Sequence, residues 1–147
     1  MKVEIRQADA EDIAAVLALY AQPGMDNGKV LALEEAKALF AQFAKYPNYR
    51  LFVALADGLV VGSYALLVMH NLGHLGTPSA IAEDVVVAQE VRGQGIGRQM
   101  MEHAAAQARE AGCYKLALSS NNQRVDAHRF YASLGLVPHG VSFVMEL

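Results

Sequence analysis

Val85-Val86-Val87-Ala88-Gln89-Glu90-Val91-Arg92-Gly93-Gln94-Gly95-Ile96-Gly97-Arg98 is the stretch on which the reading of this chain turns. Three consecutive valines suit a buried strand, Arg92 to Gly97 is a glycine-rich turn, and Arg98 to Ala111 is an Ala-rich helix stopped by Gly112. Glycines let the main chain turn tightly and come close to a ligand, while the unpaired N–H groups and positive end of the following helix attract anionic oxygens. The segment therefore reads as a phosphate-binding turn, with a plain helix-starting turn as the alternative. A dinucleotide-binding turn would need Gly-x-Gly-x-x-Gly near the N-terminus and an acid about 20 residues on, and a Walker loop would need Gly-Lys-Ser/Thr. Neither pattern is present.

Working outward, Ile81 to Val87 is expected as a strand, preceded by a Gly- and Pro-containing surface loop from His70 to Ser79. Tyr49 to Ala56 and Leu59 to Val68 are β-rich runs joined by Asp57-Gly58, a two-residue turn suited to a hairpin. Upstream, Val3 and Ile5 alternate with polar residues as in a strand. Asp9 can cap a helix carrying Ile13, Val16, Leu17 and Tyr20, and Leu33 to Tyr46 regains helical spacing. Downstream come a short strand from Tyr114 to Ser119, a helix from Val125 to Leu134 ended by Gly135, and a closing strand from Val141 to Leu147. The order predicts one α+β domain, residues 1–147, around one mixed sheet.

Composition narrows the function. The chain has 147 residues, 12 Lys plus Arg against 15 Asp plus Glu, and a single Cys. A net charge of -3 without a basic stripe argues against nucleic acid as a partner. The longest apolar run, Leu59 to Met69, falls short of the roughly 20 residues that cross a bilayer, so no membrane partner is expected. Cys113 has no second cysteine to pair with, and the N-terminus lacks an apolar export region, which together suggest a cytoplasmic setting. His70 and His74 lie in a loop without a third ligand at metal-binding spacing, so no metal is expected. That loop, with Asn71, reads better as a lid over an acceptor, and Arg50, Lys29 and His139 are candidate contacts for an anionic one.

Arg92-x-x-Gly95-x-Gly97 after a Val-rich strand resembles the acyl-CoA signature of the GCN5-related N-acetyltransferase (GNAT) superfamily. Ile81 to Val87 looks like that family's fourth strand, and Ala127-His128-Arg129-Phe130-Tyr131 with Leu134-Gly135-Leu136 looks like its late helix. Within the superfamily, Gly112-Cys113-Tyr114-Lys115 together with Glu83-Asp84-Val85 is similar to glucosamine-6-phosphate N-acetyltransferases. Asp126 to Tyr131 resembles aminoalkylphosphonate N-acetyltransferases. Arg124 stands where many members carry Asn, and Ser119 where the sugar-phosphate enzymes carry an acid.

The resemblance implies a mostly antiparallel mixed sheet, flanked by helices, whose fourth and fifth strands splay apart around acetyl-CoA as cosubstrate. Val85, Val86 and Val87 would pair with the pantetheine arm, and Arg92, Gly93, Gln94, Gly95, Ile96, Gly97 and Arg98 would hold the pyrophosphate. Arg124 and Phe130 would add contacts from the late helix. The acceptor is expected to be a small primary amine, with phosphorylated amines and amino sugars among the candidates. Attack needs the free amine, and an alkylammonium of pKa near 10.4 leaves well under ~1% of it at pH 7, so a base is required. Glu83 and Asp84 are the candidates, Glu83 favoured. In an even strand the two point to opposite faces, unless a β-bulge breaks the alternation. Tyr131 is the candidate proton donor to the departing thiolate, and a homodimer is implied. Two other readings stay open, a non-catalytic acyl-CoA sensor and a peptide or protein N-acetyltransferase.

Overall fold

A computed structural model describes residues 1–147. The chain divides into two compact units, Met1–Ala117 and Leu118–Leu147.

The first unit is built on a five-stranded sheet in the order β1 (Val3–Gln7), β2 (Tyr49–Ala56), β3 (Leu59–Met69), β4 (Ser79–Val87) and β5 (Leu116–Ala117). The first three pairings are antiparallel and the β4–β5 pairing is parallel, as a mixed sheet requires. Asp57 and Gly58 both take positive φ, 50° and 85°, so the β2–β3 hairpin closes through the mirror-image turn whose twist matches the strands. The fourth strand begins at Ser79, two residues before the sequence pattern places it, because Ser79 and Ala80 already pair with Met69 and Val68.

Helices α1 (Ile13–Tyr20) and α2 (Leu33–Phe43) cover one face of this sheet, packing on Leu51, Val53 and Ala65. Asp9 caps the 3-10 turn Ala10–Asp12 that leads into the first: its Oδ1 accepts from the Glu11 N–H at 2.9 Å, and Asp12 accepts from the Asp9 N–H at 2.8 Å. Arg6 of β1 then grips Asp12 with two nitrogens at 2.7 and 3.0 Å. Helix α3 (Ile96–Glu110) covers the other face, burying Ile96, Met100, Met101, Ala104 and Ala108 over Phe52, Tyr64 and Leu66. It begins two residues earlier than its composition suggests, the turn tightening directly into the helix after Gly95. Gly62 explains how close α3 lies. A Cβ built there would sit 2.9 Å from Met100 Sδ, so glycine leaves the space that the methionine fills.

The second unit holds α4 (Val125–Ser133), entered through a turn in which the Asn121 carbonyl accepts from the Arg124 N–H at 3.0 Å. It ends as its glycine demands: Gly135 has φ 89°, and the Leu136 N–H donates back to Tyr131 at 3.1 Å. Two expectations are corrected. The strand placed at Tyr114 to Ser119 is only Leu116–Ala117. The closing strand placed at Val141 to Leu147 does not form, and Phe143, Val144 and Met145 are 92%, 90% and 82% exposed. Their β-rich composition supplies propensity, but a strand needs a ladder partner, and residues 141–147 have none.

Candidate active site

The decisive local feature is an irregularity in β4. Ala65 pairs with Glu83 and Ser63 with Val86, so Tyr64 alone on β3 faces two residues, Asp84 and Val85. Asp84 is the extra residue, with φ 53°, a left-handed conformation that Asp and Asn tolerate better than most side chains. This β-bulge overrides strict alternation. Before it, Ala80 packs toward α3; after it, Val85 and Val87 do. Glu83 shares the face of its partner Ala65, the one covered by α1 and α2.

Electrostatics put Asp84 on that face too. The Tyr49 phenol is raised above its ordinary value by burial first, then by the charges of Asp84 and Glu83. Tyr20 is raised further, again by burial and then by Asp84. Asp84 itself is raised, by desolvation and then by Asp26, although the residue as a whole is exposed. The protein's ion pairs are Arg6 with Asp9 and Asp12, so neither Glu83 nor Asp84 is neutralised by a cation. The strand is not even, and the β-bulge is the exception to opposite faces that the sequence reading allows.

The sheet opens at the same place. β5 pairs with β4 only at Ala80–Leu116 and Ile81–Ala117, so from Ala82 onward β4 has no strand on that side. The chain then runs through a short turn, Gln89–Val91, into the glycine segment. Gly93 and Gly95 have φ of 78° and 86°, and a Cβ at either would meet nothing within 4 Å, so the glycines serve backbone conformation and open access. The Gln99 N–H closes the first turn of α3 on Gly95 at 3.1 Å, whereas the amides from Gly93 to Arg98 donate to no backbone carbonyl. That row of bare donors at a positive helix end fits a diphosphate.

Gln22, which no motif singles out, fastens this corner. Its Nε2 donates to the carbonyls of Leu19 at 3.0 Å and Val87 at 3.2 Å, and its Oε1 accepts from the Gln89 N–H at 2.7 Å. The Val87 carbonyl is thereby engaged within the chain. Tyr20 and Tyr49 are not singled out by the sequence either, because aromatic residues at a helix end and a strand start read as ordinary core, and Asp26 reads as part of an Asp-Asn-Gly turn. In the second unit, Arg124 precedes α4, and Phe130 and Tyr131 lie on it with ring centroids 5.3 Å apart. Burial raises the Tyr131 phenol, with Arg124 partly offsetting it, so the hydroxyl keeps its proton at neutral pH.

Other candidates fall elsewhere. Arg50 donates to Gln107 of α3 at 2.9 Å and lies 5.1 Å over the Phe52 ring, on the face away from Glu83. His74 packs on Tyr114 at 4.6 Å, and Asn71 donates to the Thr77 carbonyl at 2.7 Å, so the long loop is tied down beside β5. Lys29 and His139 are exposed. The Cys113 thiol is raised by burial, the opposite of an activated nucleophile.

A parted sheet, paired carboxylates beside the gap and a bare-amide turn define an acyl-transfer enzyme. The chain belongs to the acetyltransferase (GNAT) family, which it matches over residues 13–136, and members of this family use acetyl-CoA as cosubstrate. It is 36% identical over 132 residues to the aminoalkylphosphonate N-acetyltransferase of Salmonella typhimurium, covering 90% of this chain and 83% of that one. It is 31% identical over 98 residues to the glucosamine 6-phosphate N-acetyltransferase of Trypanosoma brucei brucei, covering 67% and 65%. The structure of a presumed acetyltransferase from Agrobacterium tumefaciens strain C58 superposes with a TM-score of 0.91 at 33% identity, covering 98% of this chain and 99% of that one.

Proposed function

We propose that the protein, acting as one domain over residues 1–147, transfers the acetyl group of acetyl-CoA directly to the primary amine of a small acceptor. The observation that carries this is the β4 bulge, which brings Glu83 and Asp84 to one face at the point where β4 and β5 part. The relatives point the same way, both named above being N-acetyltransferases of small amines.

In this reading the amides from Gly93 to Arg98 hold the diphosphate, Arg92 and Arg98 add charge, and the open edge from Val85 to Val87 faces the pantetheine arm. Arg124 and Phe130 supply contacts from α4. The bound thioester supplies the activated acyl carbon. Glu83 and Asp84 take the proton from the incoming ammonium, directly or through a water. Glu83 is the favoured base; the Asp84 carboxyl beside it is raised by desolvation and then by Asp26, which brings its basicity nearer to working pH. A backbone N–H beside Val85 stabilises the negative charge that grows on the acetyl oxygen. The amine nitrogen bonds to the carbonyl carbon, the carbon–sulfur bond breaks, Tyr131 gives its proton to the departing thiolate, and the second proton lost by the nitrogen passes through water to restore the Tyr131 phenol.

Thiol release from acetyl-CoA in the presence of a panel of amines tests the proposal. Turnover of at least one amine, lost in the Glu83→Gln, Asp84→Asn double variant, is expected. Tight binding of acetyl-CoA with no turnover of any amine would favour the sensor instead. A cytoplasmic homodimer completes the proposal: residues 141–147 form a strand-type run with an exposed Phe143, which a second copy would cover. Light scattering during size exclusion reads the dimer directly.

A further inference from the structure

We propose that the acceptor is an amine with an apolar arm, aryl or branched alkyl, held in a pocket one pleat away from Glu83. The proposal rests on the N-acetyltransferase reading of the same face. The pocket has a volume of about 440 Å³ and is lined by Leu39, Gln42, Phe43, Tyr46, Tyr49 and Leu67. Its wall is a run of rings: Phe43 stacks on Tyr49 at 4.4 Å, and Tyr46 meets Tyr49 edge-on at 6.1 Å. Tyr46 and Leu39 are 61% and 52% exposed, so an apolar arm entering there removes their surface from water together with its own.

Strand register fixes the distance between pocket and carboxylates. Leu51, Ala65 and Glu83 form one row across β2, β3 and β4, and Tyr49, Leu67 and Ile81 form the next row on the same face. Successive same-face positions on a strand are about 7 Å apart. An amine whose nitrogen lies at the Glu83 and Asp84 carboxylates therefore reaches the Tyr49–Leu67 row through a short alkyl linker. Both carboxylates bear on the Tyr49 phenol, which ties the two places together electrostatically as well.

Charge selects against an anionic acceptor. No cationic side chain lines the pocket, and Arg50, next to Tyr49 in sequence, is turned to the other face and bonded to Gln107. A phosphate or phosphonate seated in this pocket would meet the apolar rings, with Glu83 and Asp84 nearby and no cation in the lining to pair with.

The test is thiol release from acetyl-CoA by the full-length protein with 2-phenylethylamine, isopentylamine, ethanolamine and 2-aminoethyl phosphate. The expected kcat/KM for 2-phenylethylamine exceeds those for ethanolamine and 2-aminoethyl phosphate by about tenfold or more, the factor that burying a ring of this size supplies. Tyr46→Ser and Leu39→Ser change exposed side chains, so folding is not at stake. Each should raise KM for 2-phenylethylamine several-fold while KM for acetyl-CoA holds. A higher kcat/KM for 2-aminoethyl phosphate, or an unchanged KM in both variants, overturns the proposal. So does a Tyr46→Ser protein that changes from dimer to monomer with unaltered kinetics, since the pocket is then an interface. If acetyl-CoA binds but no amine reacts, the acetyltransferase reading is what fails. Saturation-transfer NMR with 2-phenylethylamine then decides the pocket: binding lost in Tyr46→Ser upholds it, and no binding to the unaltered protein sinks it.

Discussion

On the α3 face of the sheet, the wholly buried Tyr64 shares a hydrogen bond of 2.6 Å with His103 Nδ1, and Arg50 is bonded to Gln107 and seated over Phe52. On the α1/α2 face, Glu83 and Asp84 carry charge with no cation to meet it. The same strands supply both sets, so the contrast is one of use. Polar groups that hold the fold are paired, because an unpaired buried group costs about 1–3 kcal/mol. Polar groups that act on a substrate are left free for it.

The largest expected effect comes from neutralising the free face. Glu83→Gln with Asp84→Asn should lower the rate of acetyl transfer by roughly 10²- to 10⁴-fold, the range typical of a lost general base, with acetyl-CoA affinity retained in calorimetry. Asn tolerates the left-handed backbone of Asp84, so the bulge survives. Because the folded protein raises the Asp84 pKa, its charged form is disfavoured at neutral pH, and Asp84→Asn should not lower the melting temperature. The rate of the unaltered enzyme should climb with pH through a value above the ordinary carboxylate range, and Asp84→Asn should flatten that limb. A double variant that works normally would erase the contrast between the faces.

Asp12 offers the opposite case within the α1/α2 side. The Arg6 hydrogen bonds hold its carboxyl below the ordinary range despite burial. A folded pKa below the unfolded one gives stability that is present above the unfolded value, near 3.9, and is lost as pH falls through the lowered folded value. Arg6→Ala should cost about 1–3 kcal/mol at pH 7, toward the lower end because part of Arg6 lies in water. The gap between variant and parent melting temperatures should narrow below about pH 4. A gap that stays constant with pH would mean that Arg6 contributes packing and not charge.

The regular parts of the fold are legible because they repeat. Asp57-Gly58 announces its hairpin, the Ala-rich run from Arg98 to Ala111 announces α3, and Gly93 to Gly97 announce the turn. The bulge is not legible, since Asp84 reads as one more strand residue and only pairing with β3 exposes the mismatch at Tyr64. Tyr49 looks like core until the register sets it one row from Glu83. Residues 141–147 mislead in the other sense: their propensity is correct for a strand, and what they lack, a partner, is not written in them.

Breaking the bonded face should touch stability and spare chemistry. Burial raises the Tyr64 phenol and lowers the His103 imidazole, so at neutral pH two uncharged groups share the bond. Tyr64→Phe removes one partner and leaves Nδ1 half-buried and unpaired, at a cost of about 1–2 kcal/mol. A melting temperature lower by a few degrees, with kcat unchanged, is the expected pattern. A fall in kcat at constant stability would show that the α3 face takes part in the reaction.

The smallest effect sharpens the boundary between the two classes, because Gln22 belongs to both. Its amide joins the end of α1 to the Val87 carbonyl and the Gln89 N–H, at the corner where the open edge of β4 passes into the glycine turn. Removing it in Gln22→Ala should cost under about 1 kcal/mol, since these groups can turn to water. Its kinetic signature should be a rise in KM for acetyl-CoA of about threefold with kcat preserved, a factor that corresponds to about half of the usual 1.4 kcal/mol per decade. Gln22→Glu separates the two halves of the contact. It keeps an oxygen for the Gln89 amide but loses the donor to Val87, so a KM as high as that of Gln22→Ala would place the weight on the Val87 carbonyl, and an intermediate one would divide it between the two contacts. An unchanged KM in both variants, with only the melting temperature moving, would put Gln22 with Tyr64 among the residues that merely hold the sheet.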